Sequence, residues 1–383
     1  MINSFQIHNF RTFENLTIDR FGKVNLIVGK NCVGKSTLLE ALWLYAARLR
    51  PEAIYKFLFD RQEFDVGKGV QNIALLPLLN TELSQSDKSF SLGPINTDNE
   101  TYVLKICFLQ KTSTDHKYIE VSSEQFYSID ANAYPAFKVS LGEVLQYEKL
   151  FEGFNKEFPK RQGPLGKSNI VFSFPEWPPF LKISEIEGDM IHLWWNAISL
   201  REPEDKVLKF LNLLAPIERI SLIQSTLTDF PKTQGLFLAR LKGQKEPRSL
   251  KSFGDGVERI FRLAVAAEYT RSDRYEPKTW RNATKQKPMD DVIFIDEIDT
   301  GIHYSMLPKY WEMIFILAKE MNIQVFATTH SWDCIEGFQI AAQKYDKDEG
   351  LLIRLEKKEH KSRAVIFDSK ELAIVTRENI EVR

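Results

Sequence analysis

The sequence has few cysteines and no long apolar segment. Its three cysteines, Cys32, Cys107 and Cys334, stand far apart, without the paired spacing of a zinc site or a disulfide framework. No apolar run approaches the roughly 20 residues that span a bilayer. The N-terminal residues MINSFQIHNFR lack the apolar centre of a signal peptide. These absences exclude metal-cluster, disulfide-stabilised secreted and membrane-spanning classes, and we expect a reduced, cytoplasmic protein.

Neither sign of charge predominates. The chain has 51 Lys and Arg residues against 52 Asp and Glu residues, a net charge of −1. This balance argues against a uniformly basic nucleic-acid-binding surface and leaves a local basic patch open. The chain has 383 residues, of which 43% are hydrophobic. This length and composition predict either one large α/β unit with an insertion or two domains.

A glycine-rich loop near the N-terminus is the most specific motif. Residues 29–37, GKNCVGKST, match G-x-x-x-x-G-K-[ST] between a predicted strand over 24–28 and a predicted helix over 36–50. The N–H groups of such a loop cup phosphate oxygens, and the helix N-terminus adds to the attraction. The motif predicts a nucleoside triphosphate site. Its residues are Gly29, Asn31, Gly34, Lys35, Ser36 and Thr37.

Side chains at two distant places suit the chemistry of ATP hydrolysis. Lys35 would reach the β- and γ-phosphates, and the Ser36 hydroxyl would ligate Mg²⁺. Residues 291–297, DVIFIDE, form an apolar run typical of a buried parallel strand, and the run ends in two acids. Asp296 is placed to hold Mg²⁺, directly or through water, and Glu297 to polarise the attacking water.

Two further motifs are ambiguous when considered alone. A predicted strand over 323–329 ends at His330, on the edge where open α/β sheets bind ligands. There the histidine would sense the γ-phosphate or orient water, although a lone histidine is more often structural. The turn Ser252-x-Gly254-x-Gly256 opens a helix and suits a second anionic site. The alternative is an ordinary glycine turn before a helix.

The order of these motifs, together with residues 5–16, FQIHNFRTFENL, resembles that of ATP-binding-cassette (ABC) ATPases. RecF, structural-maintenance-of-chromosomes (SMC) heads and the OLD (overcoming lysogenization defect) family share this opening. The resemblance implies an α/β ABC-ATPase head: a mixed sheet with a P-loop RecA-like core, an antiparallel β lobe and an inserted α+β region. It covers about residues 1–60 and 245–383.

The same resemblance implies roles for individual residues. Ser252, Gly254 and Gly256 would form the signature turn and act across a homodimer on the partner's γ-phosphate. Glu297 would be the catalytic base and His330 the switch histidine. Residues 296–303, DEIDTGIH, look like the OLD-type acidic loop, with His303 at the dimer seam. Gln62 is the candidate for the glutamine loop.

The residue pattern in the middle of the chain predicts a lobe that is inserted into the ATPase head. We divide the chain into 1–80, 81–245 and 246–383. Alternating residues over 101–109 and 117–121 predict antiparallel strands. Prolines and tryptophans between 173 and 195 forbid a long coiled-coil arm.

Basic stretches at 240–251 and 271–287 predict either a nucleic-acid backbone track or solvated loops. Likewise, Trp194 and Trp195 would either stack bases or lie in the core or a partner contact.

The function implied by the resemblance is an ATP-binding and hydrolysing switch. It would close as an ATP-sandwiched homodimer and control a separate effector, a nuclease or toxin, as in split OLD-type anti-phage defence. Because the chain ends at Arg383, we expect no room for the Toprim nuclease that OLD proteins carry. The alternative is a RecF-like DNA-binding repair ATPase.

Overall fold

The computed structural model describes most of the chain. Its described residues are 1–61, 63–65, 72–73, 75–80, 88–112, 118–121, 133–150, 180–182, 188–199, 201–212, 214–224, 235–271, 291–359, 361–378 and 380–382. The helices are α1 (Lys35–Ala46), α2 (Pro51–Asp60), α3 (Gly188–Ile198), α4 (Glu202–Leu211), α5 (Asp255–Arg271), α6 (Leu307–Glu320), α7 (Trp332–Ala342) and α8 (Ser369–Arg377). Short 3₁₀ turns span Leu76–Leu78, Asp98–Glu100, Leu250–Phe253 and Tyr304–Met306.

The strands fall into four sheets. They are β1 (Phe5–Phe10), β2 (Phe13–Ile18), β3 (Val24–Gly29), β4 (Phe64–Asp65), β5 (Asn72–Ile73), β6 (Ser89–Gly93), β7 (Tyr102–Lys111), β8 (Tyr118–Val121), β9 (Ala133–Leu141), β10 (Val144–Leu150), β11 (Phe180–Lys182), β12 (Ile217–Gln224), β13 (Gly235–Leu241), β14 (Arg248–Ser249), β15 (Val292–Asp296), β16 (Gln324–Thr328), β17 (Gly350–Lys358) and β18 (Lys361–Phe367). β12, β13 and β14 form a small antiparallel sheet, and β4 pairs with β5.

A mixed sheet forms the centre of the fold, in the order β11-β15-β16-β3-β17-β18. Its pairs are parallel except β17 with β18. Strands β3 and β16 are buried along their whole length because both faces of the sheet are covered. Leu26 and Val28 of β3 face a core with α5, α6 and α7, whereas Ile27 faces a core with α1 and the β lobe.

The β lobe is an antiparallel sheet in the order β10-β9-β7-β6-β1-β2, with β8 beside β7. Its pairing of β7 with β8 confirms the strands predicted from alternating residues near 101–121. The mixed sheet and this lobe together confirm the predicted α/β ABC-ATPase head. Strands from 81–150 therefore extend the sheet that the opening hairpin begins; the domain division at residue 80 stays a prediction.

The helix predicted over 36–50 is shorter than expected. It ends at Ala46 because Arg48 and Leu49 adopt left-handed backbone, with φ of 59° and 45°. A second helix then begins at Pro51, whose fixed φ suits a first helical position.

The tryptophan pair of α3 lies in the core. Trp194 stacks on Tyr269 with ring centroids 5.6 Å apart, and Trp195 lies 5.2 Å from Phe261. Both indoles are buried, which favours the core interpretation over base stacking.

Within the described part of the chain, no helix has the length and apolar character needed to cross a membrane.

Candidate active site: the phosphate loop and the acidic strand

The phosphate loop joins the end of β3 to the start of α1. Gly29 and Gly34 have φ of 147° and 106°, backbone that favours glycine. A Cβ atom at Gly34 would lie 2.6 Å from the Phe13 ring and 2.8 Å from the Thr12 methyl group. The opening hairpin therefore packs directly on the loop, which gives a physical reason for the two motifs to occur together.

Lys35 points into this loop. Its side chain is buried, and its ammonium donates hydrogen bonds to the carbonyls of Gly29 at 2.7 Å and Lys30 at 2.9 Å. Burial lowers the pKa of Lys35, and the nearby Asp296 carboxylate opposes that shift. A buried cation is stable only with acceptors around it, and phosphate oxygens are acceptors of the same kind. Asn31 is exposed, and Thr37 is half-buried in the first turn of α1.

Ser36 and Asp296 meet although 260 residues separate them in sequence. The Ser36 Oγ lies 3.3 Å from Asp296 Oδ1, and the Thr328 hydroxyl donates to the same oxygen at 2.5 Å. A hydroxyl beside a carboxylate is a donor set that Mg²⁺ accepts, with substrate phosphates completing its shell. These residues fit the predicted magnesium site.

Glu297 has left-handed backbone, with φ of 51°. Such strain costs on the order of 1–3 kcal/mol and persists only where the surroundings enforce it. Here the Glu297 N–H donates to Thr328 Oγ1 at 2.9 Å, and the Glu297 carbonyl accepts from the Thr300 N–H at 3.1 Å. The carboxylate itself is exposed. Thr328 thus holds both acids, a role that the sequence analysis missed.

His330 lies directly beyond β16, one strand away from Glu297. Its side chain is exposed. The preceding Thr329 donates to Asp299 Oδ1 at 2.5 Å and accepts from the Ser331 N–H at 2.9 Å. The acidic loop and the histidine segment are therefore joined by hydrogen bonds. This brings His330 to the same sheet edge as Glu297.

The predicted signature turn is exposed at Ser252 and Gly254. The exposed Ser252 donates to the Ser249 carbonyl at 2.6 Å, and Gly254 has φ of 98°. A Cβ added at Gly254 or Gly256 would meet no atom of the described residues within 4 Å. His303 is also exposed, with its Nδ1 2.9 Å from Ser305 Oγ.

Two predicted features lie outside the described residues. They are the glutamine-loop candidate Gln62 and residues 272–287 of the basic stretch 271–287.

One family covers most of this chain. It is described as "AAA domain, putative AbiEii toxin, Type IV TA system" and matches residues 24–333. The chain belongs to this AAA family. It is an ATPase, and the matched segment of this AAA protein includes the phosphate loop, the predicted signature turn, the acidic strand and His330.

Individual relatives differ in how much of this AAA chain they match. An "ATP/GTP phosphatase" of Helicobacter pylori is 25% identical over 362 residues, 88% of this chain and 87% of that protein. "DNA replication and repair protein RecF" of Staphylococcus epidermidis is 38% identical over 45 residues, 12% of each chain. Among solved structures, the Smc head domain of Pyrococcus furiosus with an extended coiled coil, bound to the C-terminal domain of ScpA, has a TM-score of 0.46 at 10% identity and covers 99% of both chains.

Proposed function

We propose that this ATPase is a switch that closes as a homodimer around ATP and Mg²⁺ and controls a separate effector protein. One observation carries the proposal. The phosphate loop and the acidic strand meet at Ser36 and Asp296, while the separate Ser252–Gly256 turn presents an exposed serine and two glycines with open space beside them. A turn of this kind suits a phosphate supplied by a second subunit.

Each residue of the site has a defined task in hydrolysis. The Lys35 ammonium would exchange its loop carbonyls for phosphate oxygens. Ser36 and Asp296 would hold Mg²⁺, and the bound ion would supply positive charge that stabilises the phosphate groups. Glu297 would orient a water and take its proton, with its backbone held by Thr328. His330, exposed at the end of the adjacent strand, would contact the γ-phosphate.

The dimer is tested by two variants that separate hydrolysis from association. Glu297→Gln should retain ATP binding and slow hydrolysis by about 10²- to 10⁴-fold, the usual loss of general-base help. The closed dimer should then accumulate in ATP and Mg²⁺ and show twice the monomer mass by light scattering. Adding Ser252→Arg should block that dimer without weakening ATP binding.

A matched control is Ser221→Arg, which places the same side chain at an exposed serine of β12. This control should leave the dimer intact. A Glu297→Gln protein that stays monomeric in saturating ATP contradicts the cross-subunit site.

Control of an effector, in bacterial anti-phage defence, is the second part of the proposal. Hydrolysis alone does no cellular work, so another molecule must bind the open and ATP-closed states with different affinity. The family description links this family to a type IV toxin–antitoxin system, and such a system, which has two components, supports the involvement of a second protein. The lobe over residues 81–245 is the surface that we assign to the effector.

A RecF-like DNA-binding ATPase is the second candidate. The short RecF match favours it, and so does a local patch beside the signature turn. Lys242, Lys245, Arg248 and Lys251 of this patch are all exposed, and clustered cations of this kind suit a phosphate backbone.

A further inference from the structure

Arg259 of α5, the helix that the predicted signature turn opens, lies against the acidic loop of residues 296–303. It lies in the second turn of α5, which begins at Asp255, and its guanidinium is half-buried. A Cβ atom added at Gly301 would lie only 2.6 Å from Arg259 Nη2. Gly301 also has φ of 71°, so both its backbone and this contact favour glycine. The acidic loop therefore lies directly against the guanidinium.

The same guanidinium has an unused donor. Its Nη1 is buried, and no acceptor among the described residues lies within hydrogen-bond distance of it. Arginine stays charged in proteins, and a buried N–H without an acceptor is costly. By contrast Arg262, on the same helix, places its Nη2 2.6 Å from the Glu258 carboxylate. Among the described residues, the buried Nη1 of Arg259 is therefore unsatisfied, whereas the Nη2 side of the guanidinium faces Gly301.

Hydrogen bonds join the residues of the acidic loop between Gly301 and Glu297. The Thr300 N–H donates to the Glu297 carbonyl at 3.1 Å, and the Ile302 N–H donates to the Asp299 carbonyl at 3.0 Å. The Asp299 side chain is held in turn by Thr329. A displacement at Gly301 would therefore reach Glu297 through consecutive hydrogen-bonded turns, four residues away.

We propose that Arg259 is a positioning residue that couples the signature turn to Glu297 of the same subunit. The proposal rests on the proposed ATP-sandwich dimer. There the signature turn contacts the partner's ATP, while Glu297 acts on the subunit's own ATP. Engagement of the turn moves α5, the Arg259 guanidinium moves with it against Gly301, and the loop brings Glu297 to its working position. Each ATP thus promotes hydrolysis of the other.

The test is the ATP dependence of steady-state hydrolysis in full-length variants. Arg259→Lys keeps the charge and loses the planar fork; Arg259→Met removes the charge and keeps apolar volume. Both should lower kcat about 10- to 100-fold, the scale of a small misplacement of a catalytic group, with little change in KM. The Hill coefficient should fall from above one to one. Arg262→Lys is the control on the same helix and should match the wild type.

Two further measurements separate this role from simple stability. Thermal unfolding should show folded variants, and in the Glu297→Gln background both should still form the ATP dimer. Gly301→Ala, which displaces the guanidinium from the loop side, should reproduce the loss of kcat and cooperativity. If the wild type forms the ATP dimer but the Arg259 variants keep its kcat and Hill coefficient, the coupling is contradicted and the sandwich dimer is not. A wild type that hydrolyses ATP as a monomer overturns the sandwich and the coupling with it.

Discussion

Lys35 shows how a single residue combines a structural and a functional requirement. Its ammonium is buried in the loop and satisfied by two backbone carbonyls. Because those carbonyls and phosphate oxygens are both acceptors, the residue can exchange one set for the other without losing its hydrogen bonds.

We expect Lys35→Ala to weaken ATP binding by about 10- to 100-fold, the loss of one or two hydrogen bonds to a charged group. The fold should survive because the side chain contacts the loop and not the apolar cores. Titration calorimetry with ATP and Mg²⁺ measures the first effect, and circular dichroism checks the second. Lys370→Ala, at an exposed lysine of α8 outside the phosphate loop, is the control. Equal affinities for wild type and Lys35→Ala contradict the assignment.

At the scale of elements, the carboxyl ends of β15 and β16 form one hydrogen-bonded unit. Parallel pairing of the two strands sets Ile295 opposite Ala327, so the acids and the two threonines leave the sheet at the same edge. The Thr328 hydroxyl donates to Asp296 and accepts from the Glu297 N–H. This hydroxyl therefore positions the magnesium ligand and the base together.

We expect Thr328→Val to lower kcat for ATP hydrolysis at least tenfold and to reduce the free energy of unfolding by about 1–3 kcal/mol. The physical reason is that valine keeps the shape of threonine but leaves the Glu297 N–H without its acceptor and removes one of the two hydroxyl donors to Asp296 Oδ1. Thr328→Ser, which keeps the hydroxyl, should restore most of both quantities. Steady-state kinetics and urea unfolding measure them. A valine variant with wild-type kcat would show that Thr328 does not position Glu297.

At the scale of the whole molecule, the open and closed dimers must differ in what they bind. We expect a separate protein to co-purify from native cells with wild type and Lys35→Ala in different amounts, because only the wild type closes around ATP. Equal capture by both variants would show that the bound protein does not respond to nucleotide state.

The RecF-like candidate predicts a different result in the same experiment. DNA would co-purify instead, with binding that falls steeply as salt rises. Lys242→Glu with Lys245→Glu should then abolish DNA binding, and the equal charge change Lys357→Glu with Lys358→Glu on β17 should not. Protein capture without DNA decides for the effector switch, and DNA capture without protein decides against it.

The sequence was sufficient for features that depend on local pattern. The phosphate loop, the strands around it and the acidic run carry their chemistry in consecutive residues, so β3, β15 and β16 were predicted within one residue at each end. The end of α1 was not predicted, because the left-handed backbone of Arg48 and Leu49 has no local signature. Thr328 was missed because a threonine at the end of a strand occurs as often without a functional role as with one.

The sequence alone determined that this chain has a phosphate loop, an acidic strand and the motif order of an ABC-type ATPase. Only the tertiary structure decided which groups meet: Ser36 with Asp296, Thr328 with both acids, and Arg259 with Gly301. The physical reason is that these contacts join separate elements across a parallel sheet or between a helix and a loop. Their distances depend on how strands order and helices pack, which no short segment of sequence encodes.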